Sequence, residues 1–214
     1  MMEKQKKVPG EATVTTVLFD DRYELLYDSI PLDQALPMTE EQYYVRGCTA
    51  LLDAVGRTIQ DTEGKRRRQP EEERAEKVLV VITTDGLENA SQEYTYDKLK
   101  KLIEMKKTEG WDFVFLGANM DAVKEGARFG IHADRSVTYS NSSRGVRENY
   151  KAVSNFMEAS RTCAAPVDAS WKRSVEEVLE EELQEAKEAA AKGKTGERKK
   201  RGERKKAETK IFRD

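Results

Sequence analysis

Three short stretches place side-chain oxygens where oxygen ligands could do chemistry. Gly47-Cys48-Thr49 stands just before an apolar stripe with helical spacing. Thr83-Thr84-Asp85-Gly86-Leu87-Glu88-Asn89 follows the apolar run Val78 to Ile82, and Gly117-Ala118-Asn119 follows Trp111 to Leu116. Hydroxyls and carboxylates are hard oxygen donors, the kind that Mg²⁺ or Mn²⁺ prefers. Each residue also has a plainer role. Thr49 before a helix is a natural N-cap, because its hydroxyl can accept a backbone N–H bond. Asp85 before Gly86 is a natural turn former.

Other chemistries have little to stand on. His132 is the one histidine, and it lies in a Gly-Ile-His-Ala-Asp connection with no supporting motif, so it reads as a surface loop residue rather than part of a catalytic triad. Neither Gly-x-x-x-x-Gly-Lys-Ser/Thr nor Gly-x-Gly-x-x-Gly occurs, which leaves nucleotide binding unsupported. Asp20-Asp21 has the wrong spacing for a phosphatase-like Asp-x-Asp pair and reads as a solvated turn.

The elements that must hold these stretches are legible from periodicity. Val14 to Phe19 and Tyr23 to Tyr27 flank Asp20-Asp21-Arg22 and predict a hairpin. Leu51, Leu52, Val55 and Ile59 predict an amphipathic helix over 49–59, followed by a charged, solvated loop over 61–77 that contains Pro70. Val-Leu-Val-Val-Ile is short and β-branched, which predicts a strand buried on both faces and hence a parallel or mixed sheet. A helix over 96–107 stopped by Gly110, a strand over 111–116, a short helix over 121–129 and a strand over 136–139 follow. Val146, Tyr150, Val153 and Met157 then mark a long helix. Such alternation implies right-handed crossovers and helices on both faces of the sheet. In open sheets of this kind, ligands bind beyond the carboxyl ends of the strands, where Thr49 and Asp85 fall.

In this order the chain resembles the bacterial von Willebrand factor type A (vWA) domain. The resemblance rests on a hairpin, then a Gly-x-Thr loop opening a helix, then an apolar strand ending in Thr-Asp-Gly, and it covers about residues 3–160. It implies an α/β fold with an open, mostly parallel Rossmann-like sheet, helices on both faces and strand order 3-2-1-4-5-6. It also implies a metal-ion-dependent adhesion site built from an Asp-x-Ser-x-Ser motif, a Thr and an Asp. The Thr maps onto Thr49 and the Asp onto Asp85. The first motif maps onto nothing, because no Asp-x-Ser-x-Ser occurs. In the family that motif lies on the first, central strand, ahead of the hairpin. The expectation is therefore a vWA-like sheet without its first central strand, with Mg²⁺ or Mn²⁺ held weakly and Glu88, Asn119 and Ser140 as rim residues by position. Its function would be protein binding without catalysis. Self-association through the unpaired central strands is also expected. Two rivals are an α/β hydrolase or phosphatase-like enzyme using Asp85, and a nucleic-acid-associated protein acting through its tail.

Composition sets the boundaries. Charged residues make up 36% and hydrophobic residues 37%, so part of the chain should lie outside any core. Residues 192–214 hold 11 Lys/Arg against 4 Asp/Glu, while the whole chain carries −2, so a basic tail follows an acidic body. The tail's Glu197, Glu203 and Glu208 and its single aromatic, Phe212, argue for a solvated, disordered segment over a nucleic-acid platform. The expected divisions are a vWA-like domain over 1–163, a linker over 164–171 with Pro166, a Glu-rich amphipathic helix over 172–192 and the tail over 193–214. No apolar run approaches the ~20 residues that span a bilayer. There is no apolar signal segment at the N-terminus. Cys48 and Cys163 read as two reduced thiols, which points to the cytoplasm.

Overall fold

A computed structural model describes residues 1–42 and 47–191. The expected tail over 193–214, and the last residue of the helix expected over 172–192, lie outside the described residues.

The centre of the molecule is a three-stranded parallel sheet in the order β3-β4-β5, formed by Val78–Thr84, Trp111–Ala118 and Ser136–Tyr139. Val78 pairs with Trp111 and Thr84 with Gly117 without interruption. Phe115 to Ala118 then pair with Ser136 to Tyr139. Because successive strand side chains point to opposite faces, β4 feeds two cores. Phe113 and Phe115 enter one, with Leu51, Val55 and Ile59 of α2 (Leu51–Arg68), Leu99 and Ile103 of α3 (Tyr96–Thr108), and Phe129 after α4 (Ala122–Arg128). Val114, Leu116 and Ala118 enter the other, with Ala152, Val153 and Phe156 of α5 (Ser143–Thr162) and Val175. This is a three-layer α/β arrangement with helices on both faces, as the alternation of elements implies.

Local sequence sets the helix starts. Thr95 accepts a bond from the Lys98 N–H ahead of α3, and Ser142 accepts one from the Gly145 N–H ahead of α5. Residues 173–191 are helical and form α6. Its first half packs, with Val175 and Val178 buried, whereas Leu183 is exposed and residues 184–191 have no buried face. No helix among the described residues is long and apolar enough to cross a membrane.

Two expectations need correction. The helix expected to end at 59 runs to Arg68, so the first part of the supposed loop over 61–77, up to Arg68, is helical. Charged residues of good helix propensity carry it. Ion pairs also hold it, with Glu63 reaching both Arg67 and the fully buried Lys106 of α3, and Lys65 reaching Asp28. The second correction concerns the sheet. One mostly parallel sheet is expected, but the hairpin strands β1 (Thr13–Phe19) and β2 (Tyr23–Pro31) form a separate antiparallel pair. No ladder joins β1 to β3. The hairpin is held through α2 instead: the Tyr23 hydroxyl lies 3.2 Å from that of Thr58, the Arg57 guanidinium covers the Tyr23 ring, and Phe19 packs against the first core.

Candidate functional site

Two of the three stretches expected from the sequence, those of Thr49 and Asp85, meet beyond the carboxyl end of β3, and the hairpin turn, read from the sequence as a solvated turn, joins them as a third loop. The hairpin turn reaches this junction first. Asp20 closes that turn by accepting the Arg22 N–H at 2.6 Å, and its carbonyl accepts the Ala50 N–H at 2.6 Å. The Thr49–Ala50 segment is next. It is tied to the loop after β3, because Thr49 N–H donates to Asn89 Oδ1 at 2.8 Å and the Asn89 N–H returns to the Thr49 carbonyl at 3.0 Å. The last of the three is Asp85–Gly86. A Cβ on Gly86 would stand 2.6 Å from Thr49 Oγ1, so only glycine allows the Thr49 hydroxyl to approach this closely. The structure thus brings Thr49 and the Asp85–Gly86 turn together.

The plain roles of these two residues are filled by others. The N-cap residue of α2 is Ala50, which has no side-chain oxygen, so Thr49 is not the cap. Instead, Glu88 accepts the Leu52 N–H at 2.9 Å and Ser91 Oγ accepts the Asp53 N–H at 3.0 Å. Two donors left open at the helix start are therefore satisfied from the following loop. The turn after β3 is made by Thr84, whose hydroxyl donates to the Gly86 carbonyl at 2.8 Å and accepts the Gly86 N–H at 3.2 Å. Asp85 is exposed, and among the described residues its carboxylate has no hydrogen-bond or ion-pair partner.

The residues expected at the rim differ in availability. Glu88 is committed: its two oxygens also accept Ala90 N–H, Ser91 N–H and Ser91 O–H. Asn119 holds a left-handed backbone with φ 52° and accepts the Asn141 N–H through Oδ1. Ser140 donates to Glu182 of α6, which also takes the Ser142 hydroxyl, and these two bonds keep the Glu182 carboxyl below its ordinary range. His132 is exposed, away from the junction. Cys48 and Cys163 are both exposed free thiols.

Sequence reasoning missed Asp53. From the first turn of α2 it accepts the N–H groups of Gln92, Glu93 and Tyr94 at 2.7 to 3.0 Å. With Glu88 reaching the other way, the two loops are latched reciprocally. The available signal was an Asp in the first turn of a predicted helix, which reads equally well as a dipole residue.

A divalent cation at this junction would draw on Thr49 Oγ1 and the Asp85 carboxylate. That donor set fits only part of a coordination shell of six oxygens. Among the described residues no group of three or more His, Cys, Asp and Glu side chains could hold a metal. No family model, curated protein or solved structure matches the chain.

Proposed function

We propose that this chain is a non-enzymatic protein-binding module of the von Willebrand factor type A kind, contacting its partner through the loops beyond the carboxyl ends of β3 and β4. One observation carries the reading. Capping of α2 and turning of the chain after β3 are performed by Glu88, Ser91 and Thr84, which leaves the Thr49 hydroxyl, close to Gly86, and the carboxylate of the neighbouring Asp85 without those duties. A hydroxyl and an exposed carboxylate on adjoining loops suit a hard cation that bridges to a partner's carboxylate. With two protein side chains, Mg²⁺ or Mn²⁺ keeps most of its waters, so affinity is on the order of 10⁻³ M. A hydrolase reading would require a base or a second carboxylate positioned on Asp85, and among the described residues none of the junction's bonds supplies one.

The test is titration of the full chain with Mn²⁺ while amide resonances are followed. Paramagnetic broadening at millimolar Mn²⁺ should start at residues 47–50 and 84–87 and be lost in Asp85→Ala. Broadening that begins instead along the Glu-rich helix α6 would sink the site. Low-micromolar affinity by calorimetry would overturn the two-ligand account.

A further inference from the structure

Residues from the stretch expected to be a solvated loop help to line a cavity of about 240 Å³. Its walls are Glu63, Arg66 and Arg67 of α2, Arg74 of the turn that follows, Glu109 after α3 and Trp111 at the start of β4. The cavity adjoins the last turns of α2, whereas the Thr49–Asp85 junction adjoins the first. α2 has 18 residues, so its two ends are roughly 27 Å apart.

The carboxylates of this cavity are engaged, while two of its cations are not. Lys106 is fully buried, with Nζ 2.5 Å from Glu63 Oε2, 2.9 Å from Glu109 Oε2 and 5.6 Å from the centre of the Trp111 ring. Glu63 also pairs with Arg67. Arg66 and Arg74 are held by carbonyls instead. Arg66 Nη2 donates to that of Ala75 at 2.7 Å, and Arg74 Nε to that of Gln69 at 3.1 Å. Neither has a carboxylate partner among the described residues. Glu71, Glu72 and Glu73 are exposed and lie outside the lining. Lys106, Arg66, Arg67 and Arg74 against Glu63 and Glu109 leave a surplus of two positive charges.

Two donors are unmatched as well. Trp111 is 4% exposed, and its Nε1–H has no hydrogen-bond partner among the described residues. The buried Arg66 Nε–H has none either. Both groups can only donate, and a donor buried without an acceptor is costly. The cavity therefore lacks acceptor oxygens that carry two negative charges. We propose that it takes the phosphoryl group of a small phosphomonoester, which near neutral pH carries about −1.5 to −2 and offers three strong acceptor oxygens. Planar guanidinium forks match those oxygens. A carboxylate brings one charge and leaves one guanidinium uncompensated. Both unmatched N–H groups are screened from solvent, so binding includes a turn of the Arg66 side chain, which the Ala75 carbonyl restrains. Drug-sized ligands fill cavities of about 300–1,000 Å³, so the rest of the ester is small. The inference goes beyond the function proposed above and shares no residue with it.

The test uses the full chain labelled with nitrogen-15 and methyl phosphate as the probe, at neutral pH and constant ionic strength. Trp171→Phe tells the two indole N–H resonances apart. The Trp111 resonance should move saturably with methyl phosphate and stay in place with acetate. Arg66→Gln and Arg74→Gln should each weaken binding about tenfold or more. Arg66→Lys keeps the charge, loses the fork and should weaken it too. Arg68→Gln removes a charge from the same helical turn, at an exposed residue outside the lining, and should leave the affinity unchanged. Asp85→Ala should also leave it unchanged, so failure of the junction and failure of this cavity are read separately. If Arg66→Gln disturbs the amide spectrum beyond the cavity, Arg74→Gln decides, since Arg74 is exposed. A Trp111 resonance that stays fixed throughout means that solvent alone fills the cavity, and overturns the proposal. Equal weakening by Arg68→Gln would mark a diffuse basic surface and overturn it, as would equal binding of acetate.

Discussion

The two halves of the molecule use similar strand sequences to different effect. β4 and β3 are both apolar runs between helical layers, but β4, which pairs with β3 and, over Phe115 to Ala118, with β5, is buried, while β3 pairs with β4 alone and is largely half-buried. β1, further along, also has one ladder and is nowhere fully buried. Composition does not separate them. Packing from both layers does: Trp111, Phe113 and Val114 of β4 are buried although β5 pairs only with Phe115 to Ala118, so the layers that close over a strand decide its burial as much as its ladders do. Hydrophobic content alone is therefore a poor guide to which strand supports the fold.

This contrast should be measurable. Phe115→Ala in β4 removes a fully buried ring and should cost about 3–5 kcal/mol, enough to leave the chain largely unfolded in chemical denaturation. Val80→Ala in β3 should cost only about 1 kcal/mol, since its side chain is half-exposed already. Equal penalties would mean that the second edge of β3 is covered in solution. Elsewhere, Glu63→Gln should cost about 1–3 kcal/mol at neutral pH, because Lys106 is fully buried and, among the described residues, keeps only one carboxylate, Glu109, 2.9 Å away. The bond from Lys106 holds the Glu63 carboxyl below its ordinary 4.5. A lowered carboxyl stabilises the fold above the unfolded value and ceases to do so as pH falls through the folded one. The stability gap between wild type and Glu63→Gln should thus shrink below about pH 4.5. A gap constant down to pH 3 would argue against the pair. The smallest effect is in amide exchange. Residues of a parallel strand direct their N–H groups alternately to either edge. Alternate amides of β3 should therefore exchange fast, whereas those of the paired stretch of β4 stay uniformly slow. Uniform protection along β3 would show a neighbour on its open edge.

Much of the fold was legible because strong periodicity and β-branching leave little choice. The Val78 and Trp111 strands, the helices over 96–108 and 143–162 and the hairpin all stand where their patterns placed them. The far half of α2 was not legible. Residues 60–68 have no apolar stripe, and what keeps them helical is pairing with Lys106 and Asp28, which are remote in sequence. The separation of the sheets was hidden as well, since nothing in a strand's own residues tells whether its neighbour is present. At the junction, residue types pointed to Thr49 and Asp85, but their freedom from capping and turning did not follow from type. It depended on Glu88, Ser91 and Thr84 taking those tasks.

The reciprocal latch between Asp53 and Glu88 has a bearing on entropy. Each carboxylate reaches from its own segment into the backbone of the other, so the loops that carry Thr49 and Asp85 are fixed relative to one another before any ligand arrives. Ordering a free loop costs about 1–2 kcal/mol for each residue fixed. That cost is met here during folding, by bonds that do not involve the ligand. Weak binding at this junction would then reflect a shortage of donors rather than the ordering of a mobile loop. Supplying one more oxygen ligand should tighten it without any rearrangement of the backbone.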